Sequence, residues 1–199
     1  GNYNVVKSTY FLDTQYGMRV YGAHHTIVNN YIQCWHAGIQ TYGINTGGLT
    51  CENCLFANNT LALLPTGGSS FGVILDAEST APGAGNTWYN NIFQCYATNH
   101  APILDSLGAA SRVGTWGANV PWNRASTPLG TWWLRTGTSG AKPQLTVLQY
   151  EMYRPDPVFP SPAINAGIDL RFTPYFITDD IDGQARANST PEIGSDEII

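Results

Sequence analysis

The chain has 199 residues, of which 43% are hydrophobic and 12% charged, and its formal net charge is −5. This length fits one domain with a substantial core, and the hydrophobic share excludes intrinsic disorder. An acidic chain with only two lysines argues against nucleic acid as a partner, and no apolar run approaches the roughly 20 residues that span a bilayer.

A nine-residue pattern recurs through residues 1–100, where only six of the charged residues lie. Its copies begin at Asn4, Thr26, Thr50 and Thr87, which are 22, 24 and 37 residues apart. Each copy is a short β-type run bounded by asparagine or glycine, and none shows helical spacing. A period of 22–24 residues of this kind is typical of a β-solenoid coil. The sequence therefore predicts an all-β fold, a right-handed parallel β-helix.

The alignment of the four copies predicts two columns of stacked side chains. The seventh position gives an inward column of rings and aliphatic groups: Tyr10, Ile32, Phe56 and Phe93. The fourth position gives a column at a bend: Lys7, Asn29, Asn53 and Asn90. Asparagines stacked at a bend can hydrogen-bond to one another and to the turn backbone, and asparagine tolerates left-handed backbone there.

A shorter pattern alternates with the first, in Gly17–Tyr21, Gly38–Tyr42 and Gly72–Asp76. Because side chains alternate along a strand, Met18 and Val20 are expected to face the core. Two outward columns then follow: Arg19, Gln40 and Ile74 in one, and Tyr21, Tyr42 and Asp76 in the other. Aromatic faces flanked by polar groups suit pyranose rings, so this surface is a candidate sugar platform. Ordinary exposed strand residues are the alternative.

The second half of the chain holds most of the charge and of the prolines. We predict that residues 1–147 form the coils, with an insertion at about 61–86, and that residues 148–199 form a less regular capping tail of the same domain. Such a tail is expected to cover the C-terminal end of the solenoid, because an open coil exposes unpaired backbone edges.

Two groups of residues bear on cofactors. Four cysteines are present, at Cys34, Cys51, Cys54 and Cys95, without the second pair or the histidines of a structural zinc site, so we expect buried free thiols or one disulfide. Three aspartates cluster at Asp179, Asp180 and Asp182. They predict a solvated acidic tail, with a calcium site as the alternative, and no other cofactor is expected.

Residues 17–32, which read Gly17-Met-Arg-Val-Tyr-Gly-Ala-His-His-Thr-Ile-Val-Asn-Asn-Tyr-Ile32, and three closing segments carry a family resemblance. The closing segments are Ser161–Gly167, Asp180–Arg186 and Glu192–Glu197. Together they resemble polysaccharide lyase family 6, the alginate lyase and chondroitinase B type of right-handed β-helix. Similar closing segments occur in many bacterial surface β-helices. The resemblance implies a secreted, extracellular or cell-surface protein whose partner is a polysaccharide that contains uronate.

The family's chemistry is β-elimination at a uronic acid, with a Lys as base and an Arg as acid. Those residues lie on coils that precede the stretch matched by 17–32. Lys7 stands in a similar Val-Lys-Ser setting and is the weak candidate base, although it falls one coil late and no Arg-His-Gly follows it. The resemblance therefore implies that the catalytic coils are missing from this chain, and the catalytic residues stay unassigned.

The same resemblance gives roles in substrate binding. It implies that Arg19 pairs with a uronate carboxylate. His25 matches the family's motif histidine, and its two candidate roles are a strand-end hydrogen bond and substrate contact. We expect His25 and His36 to border a glycan that lies across Arg19, Tyr21, Gln40, Tyr42 and Asp76.

Three functions of different classes follow. The chain is part of a uronate-cleaving lyase, a non-catalytic glycan-binding spike or adhesin, or a structural surface or filament protein. A first coil that starts at Asn4 would present Val5, Tyr10 and Met18 to whatever precedes it. We therefore expect this coil to pack on another chain or on preceding residues.

Overall fold

The computed structural model describes residues 3–41, 51–64, 71–75, 85–95, 101–105, 115–123, 145–147, 153–155, 163–172, 174–186 and 190–195. These ranges are all-β, with no helix among them. The strands are β1 (Val5–Lys7), β2 (Tyr10–Val20), β3 (Thr26–Val28), β4 (Tyr31–Thr41), β5 (Leu55–Ala57), β6 (Thr60–Leu63), β7 (Phe71–Leu75), β8 (Thr87–Tyr89), β9 (Ile92–Cys95), β10 (Ala101–Asp105), β11 (Thr115–Gly117), β12 (Val120–Asn123), β13 (Leu145–Val147) and β14 (Tyr153–Pro155).

Most strands belong to two parallel sheets. The first sheet has the order β1-β3-β5-β8-β11, and the second has the order β10-β7-β4-β6-β9-β12 with β2 also paired to β4. The N-terminal half of β4 pairs with β6 and its C-terminal half pairs with β7. The chain thus passes repeatedly through the same two sheets. We call these passes one to five: β1–β2, β3–β4, β5–β7, β8–β10 and β11–β12. Separately, β13 and β14 form an antiparallel pair.

The passes differ in length more than the repeat predicts. Equivalent corner residues are 21, 29, 32 and 28 residues apart, so only the first interval comes close to the predicted period of 22–24 residues. The copies assigned to Asn4 and Thr50 are misaligned, because Val5 and Leu55 are the residues paired with Thr26. Strand β7 and most of β6 also lie within 61–86, so that range is not one insertion outside the sheets.

The misalignment changes the predicted inward column. Ile32 and Phe93 are correctly placed, but their partners in register are Phe11 and Leu61 rather than Tyr10 and Phe56. Tyr10 is exposed. Phe56 instead lies in a second core column with Val6, Ile27 and Trp88. The Phe56 and Trp88 rings stack there with centroids 3.8 Å apart.

The predicted asparagine stack exists, one residue beyond the predicted position. A buried ladder runs through Asn30, Asn59, Asn91 and Asn119, each amide bonded to the next. The residues just before it have left-handed backbone: Ser8, Asn29, Asn58, Asn90 and Ala118. Lys7 is therefore not a corner residue. Asn53 belongs to a different left-handed corner, in line with His24.

The described tail residues between 163 and 195 lie along the side of the stack. Among the described tail residues, Ile193 packs on Ile92 of pass four, and Ile181 packs on Tyr31 of pass two. Leu170 and Ile177 pack on outward side chains of β3 and β5. These apolar groups cover outward side chains of both parallel sheets. The predicted cap over the C-terminal end of the stack stays a prediction.

Polar contacts also hold the tail, to pass four and within the tail itself. The Asn90 side chain accepts from the Ile168 backbone N–H at 2.7 Å and donates to its carbonyl at 2.8 Å. The Arg186 guanidinium is buried and donates to the Gly194 and Asp179 carbonyls.

Within the described ranges no helix is long and apolar enough to cross a bilayer.

Candidate functional site

Strand β2 positions Arg19 at an exposed edge. Its pairing with β4 shifts register between Phe11 and Thr14 and again between Thr14 and Tyr16, and Asp13 has left-handed backbone. This bend brings the Tyr16 ring beneath Arg19, with the guanidinium carbon 4.0 Å from the ring centroid. The geometry is that of a cation–π contact, which holds the guanidinium plane against an aromatic face.

The aromatic support extends onto β4. The Tyr16 and His36 rings meet edge to face, with centroids 4.9 Å apart and an interplanar angle of 76°. His36 is half-buried, and the adjacent Trp35 is exposed. We call Tyr16, Arg19, Tyr21 and His36 the Arg19 surface. It combines one cation with three rings on paired strands.

A cavity of about 380 Å³ adjoins this surface at the pass-one end of the stack. Its wall is mostly apolar and its rim is polar. The lining residues are Asn4, Val6, Phe11, Met18, Arg19, Val20, Tyr21, His25 and Ile27. Arg19 and Tyr21 belong to both the surface and the cavity rim.

The structure tests the predicted outward columns directly. Met18 pairs with Ile39, Arg19 pairs with Gln40, and Gln40 in turn pairs with Ile74, which confirms the register of the short pattern. Arg19 is exposed, whereas Gln40 is only 9% exposed, and contact between Gln40 and a glycan stays a prediction. Its strand β4 pairs with β2 on one side and with β7 on the other. Tyr42 and Asp76 lie outside the described residues.

His25 has a structural role. Its ring is buried, Nδ1 accepts the Asn4 backbone N–H at 3.1 Å, and Nε2 lies 2.7 Å from the Tyr21 carbonyl. This pattern requires the neutral tautomer with the proton on Nε2. Of the two candidate roles of His25, the contacts of its ring match the strand-end hydrogen bond. Both ring nitrogens are engaged, so His25 shapes the cavity without offering a ring nitrogen to a ligand.

Lys7 is held by the tail. Its Nζ donates to both carboxylate oxygens of Asp179 at 2.8 Å. The two contacts form a salt bridge between the first pass and the tail. The arrangement does not prepare Lys7 to act as a base.

The three tail aspartates are each used within the protein. Asp179 pairs with Lys7, and Asp182 accepts the Tyr10 hydroxyl at 2.6 Å. Asp180 is buried and accepts the backbone N–H groups of Asp182 and Gln184. These contacts fold a turn, and the carboxylates do not converge on a common point. Among the described residues no group of three or more possible ligands gathers to hold a metal.

Cys34 is a buried thiol in β4. Burial raises its pKa to about 12, against a weaker opposing hydrogen bond from the backbone at His36. In register, Leu63 separates Cys34 from Cys95, so the two cysteines are two strands apart, or about 9.5 Å. A disulfide requires Cα atoms closer than about 7 Å, which excludes this pairing.

Sequence reasoning missed Tyr16. It stands next to the short pattern that begins at Gly17, and only the β-bulges in β2 bring it against Arg19.

No protein-family model matches the chain, and a search of curated proteins finds no match.

Proposed function

We propose that this chain is a right-handed parallel β-helix, located outside the cell or on its surface, that binds uronate-containing glycans without cleaving them. The observation that carries the binding proposal is the exposed Arg19 guanidinium set over the Tyr16 ring at 4.0 Å. The resemblance of residues 17–32 and of the closing segments to uronate lyases supports the substrate class and the location.

The strand order supports the β-helix. Each pass adds a parallel strand to the first sheet beside the strand of the pass before, and the second sheet grows in the same way. Parallel strands joined by crossovers within one sheet are right-handed in about 98% of cases. The asparagine ladder supports the same architecture, because it requires equivalent corners to lie directly over one another.

The chemistry of the Arg19 surface supports an acidic sugar ligand. A guanidinium pairs with a carboxylate through two parallel hydrogen bonds, and tyrosine rings give apolar faces for the sugar ring. The Tyr16 ring orients Arg19 before a ligand arrives, which lowers the entropy lost on binding. The pairing of Lys7 with Asp179 supports binding over elimination.

A titration with oligouronates of alginate tests the proposal. We expect saturable binding by calorimetry that weakens as salt is added, and no increase in absorbance at the wavelength of unsaturated uronates. A neutral oligosaccharide of equal length, such as a xylan fragment, should bind at least about tenfold more weakly. Equal affinity for both sugars, or for neither, contradicts a uronate site. Rising absorbance would instead indicate a lyase.

A second candidate is a structural protein that assembles through pass one. Tyr3 is 74% exposed and Val5 is 67% exposed, beside the apolar wall of the cavity. In the described residues β1 and β2 each pair on one side, so their other edges are open to a further strand. Light scattering tests this function: concentration-dependent assembly of the wild-type chain that Val5→Lys abolishes would support it, and a monomer at all concentrations would oppose it.

A further inference from the structure

Cys51 and Cys54 lie together at the corner before β5. Both side chains are 1% exposed, and the Cys51 thiol donates to the Cys54 sulfur with the two sulfurs 3.9 Å apart. Both are free thiols in this structure. The Cys54 sulfur also contacts the Gly22 and Glu52 carbonyls, and the Cys51 sulfur contacts the Asn86 amide.

Asn86 of the next pass holds this corner in place. Its Oδ1 accepts the Cys54 backbone N–H at 2.9 Å, and its Nδ2 donates to the Cys51 carbonyl at 3.0 Å. One side chain therefore fixes both ends of the Cys-Glu-Asn-Cys turn. The two thiols stay adjacent because the backbone that carries them is tied to a buried amide.

The two thiols have opposite electrostatic settings. The hydrogen bond from Cys51, with help from the backbone N–H groups of His25 and His24, lowers the pKa of Cys54 below its ordinary value, against burial and the Glu52 charge. The hydrogen bond that Cys51 donates, together with its burial, raises the pKa of Cys51 well above its ordinary value. Cys54 is therefore the thiol that ionises first, and the thiolate is the reactive form of cysteine.

We propose that Cys51 and Cys54 are a redox-sensitive pair that a hydroperoxide converts into an intrachain disulfide. The Cys54 thiolate attacks one oxygen of hydrogen peroxide, the O–O bond breaks, and hydroxide leaves and takes up the thiol proton as water. Cys54 is then a sulfenic acid. The Cys51 sulfur attacks the Cys54 sulfur, the S–O bond breaks, and the second oxygen leaves as water with the Cys51 proton.

The balance is two thiols and one peroxide giving one disulfide and two waters. The sulfurs must approach from 3.9 Å to about 2 Å to form the bond. A small oxidant suits the site, because both sulfurs are buried and a protein disulfide would reach them poorly. Cys34 is the internal comparison, since it is buried and its pKa is raised to about 12.

Peptide mass analysis of the full chain tests the proposal. The reduced protein is treated with hydrogen peroxide, then denatured, alkylated with a maleimide and digested with chymotrypsin without reduction. We expect the peptide that contains Cys51 and Cys54 to be unalkylated and two hydrogens lighter, and this to occur at least about tenfold faster than any change at Cys34. Cys34→Ser should form the disulfide at the wild-type rate.

Two variants separate the roles. In Cys51→Ser the reaction should stop at a Cys54 sulfenic acid that dimedone traps, and in Cys54→Ser residue Cys51 should stay a thiol. Full alkylation of both cysteines in the wild-type chain after peroxide treatment overturns the proposal, as does a disulfide with another cysteine. Dimedone labelling of Cys51 in Cys54→Ser would reverse the assignment of the attacking sulfur. The wild-type mass decides the main point even if a variant fails to fold.

Discussion

Asn59 and Asn91 are joined side chain to side chain across consecutive passes, with Nδ2 of Asn59 donating to Oδ1 of Asn91 at 3.0 Å. The same Oδ1 accepts the backbone N–H of Asn59, and the same Nδ2 also donates to the carbonyl of Ile27. Each ladder amide therefore bonds to its neighbour and also satisfies buried backbone groups of the corner. The ladder sets the alignment of passes where no strand pairing does so.

Asn59→Ala should be strongly destabilising. It would leave the Asn30 backbone N–H and the Ile27 carbonyl without their partner in Asn59, and both are buried. Each orphaned buried group costs about 1–3 kcal/mol, so we expect the free energy of unfolding to fall by about 2–6 kcal/mol. Urea denaturation followed by tryptophan fluorescence measures this loss.

The neighbouring Asn58→Gly is the matched control. Asn58 is also buried, but its amide nitrogen and oxygen have no hydrogen-bond partner among the described residues, and its φ of 53° suits glycine. We expect its free energy of unfolding to change by less than about 1 kcal/mol. If the two variants were equally destabilised, burial rather than the ladder would be the source of stability.

Gly194→Ala should detach the tail from passes three and four. A Cβ at this position would lie 2.7 Å from Ile92 Cδ1 and 2.9 Å from Thr60 Oγ1, and the backbone φ of 116° is one that alanine rarely adopts. Overpacking and backbone strain together should cost about 2–4 kcal/mol. Hydrogen exchange is the measurement: amides of residues 163–195 should exchange faster, while those of β8 and β9 change less.

Gly183→Ala is the control for backbone strain alone. Gly183 also has a left-handed φ, of 82°, but a Cβ there would meet nothing within 4 Å. It should cost about 1 kcal/mol and leave exchange in the tail close to wild type. Equal exchange in both variants would mean that the close approach of Gly194 to Ile92 does not hold the tail.

The strand register of the short repeat could be predicted correctly because every copy carries the same physical constraint. A glycine followed by alternating side chains fixes both the start and the inward face of a strand, and the pairs Met18–Ile39 and Ile39–Val73 have the predicted register. The long repeat was misread at Thr50, where an asparagine and a phenylalanine match the pattern out of register. Connections between passes vary in length, so spacing gave no check on that alignment.

The candidate site was predictable only in part. Arg19 stands on an exposed strand position that alternation identifies, whereas its contact with Tyr16 depends on bulges that carry no sequence signal. The pairing of Lys7 with Asp179 joins residues 172 apart, and it depends on where the tail packs. Long-range packing of this kind is not encoded in any local pattern.

Arg19→Gln and Tyr16→Leu should each weaken binding of an oligouronate. Losing the guanidinium removes a charge-assisted pair and losing the ring removes its support, so we expect the dissociation constant to rise about tenfold or more for Arg19→Gln and less for Tyr16→Leu. The salt dependence of binding should fall only in Arg19→Gln. Arg171→Gln removes one positive charge elsewhere, where Arg171 pairs with Asp169, and it should bind like wild type. Equal weakening by Arg171→Gln would indicate a general charge effect and no site at Arg19.

Cys34 should make the fold less stable at high pH. Its ordinary pKa is 9.0, which applies to the unfolded chain, and burial raises the pKa to about 12 in the folded protein. Between these values the unfolded chain loses the thiol proton while the folded protein keeps it. The contribution of Cys34 to the free energy of unfolding is therefore complete below pH 9.0 and is lost as the pH rises towards 12. The slope from this one group is at most about 1.4 kcal/mol per pH unit.

Cys34→Ala isolates this contribution, because tyrosines, lysines and the other cysteines titrate in both proteins. At neutral pH the variant should be less stable than wild type, because it loses the packing of the buried thiol. The difference between the two denaturation midpoints should then narrow as the pH approaches 12. A control at neutral pH is thiol reactivity, where Cys34 should react with an aromatic disulfide reagent only after unfolding. Parallel stability curves for the two proteins across this pH range would show that the folded environment does not keep Cys34 protonated.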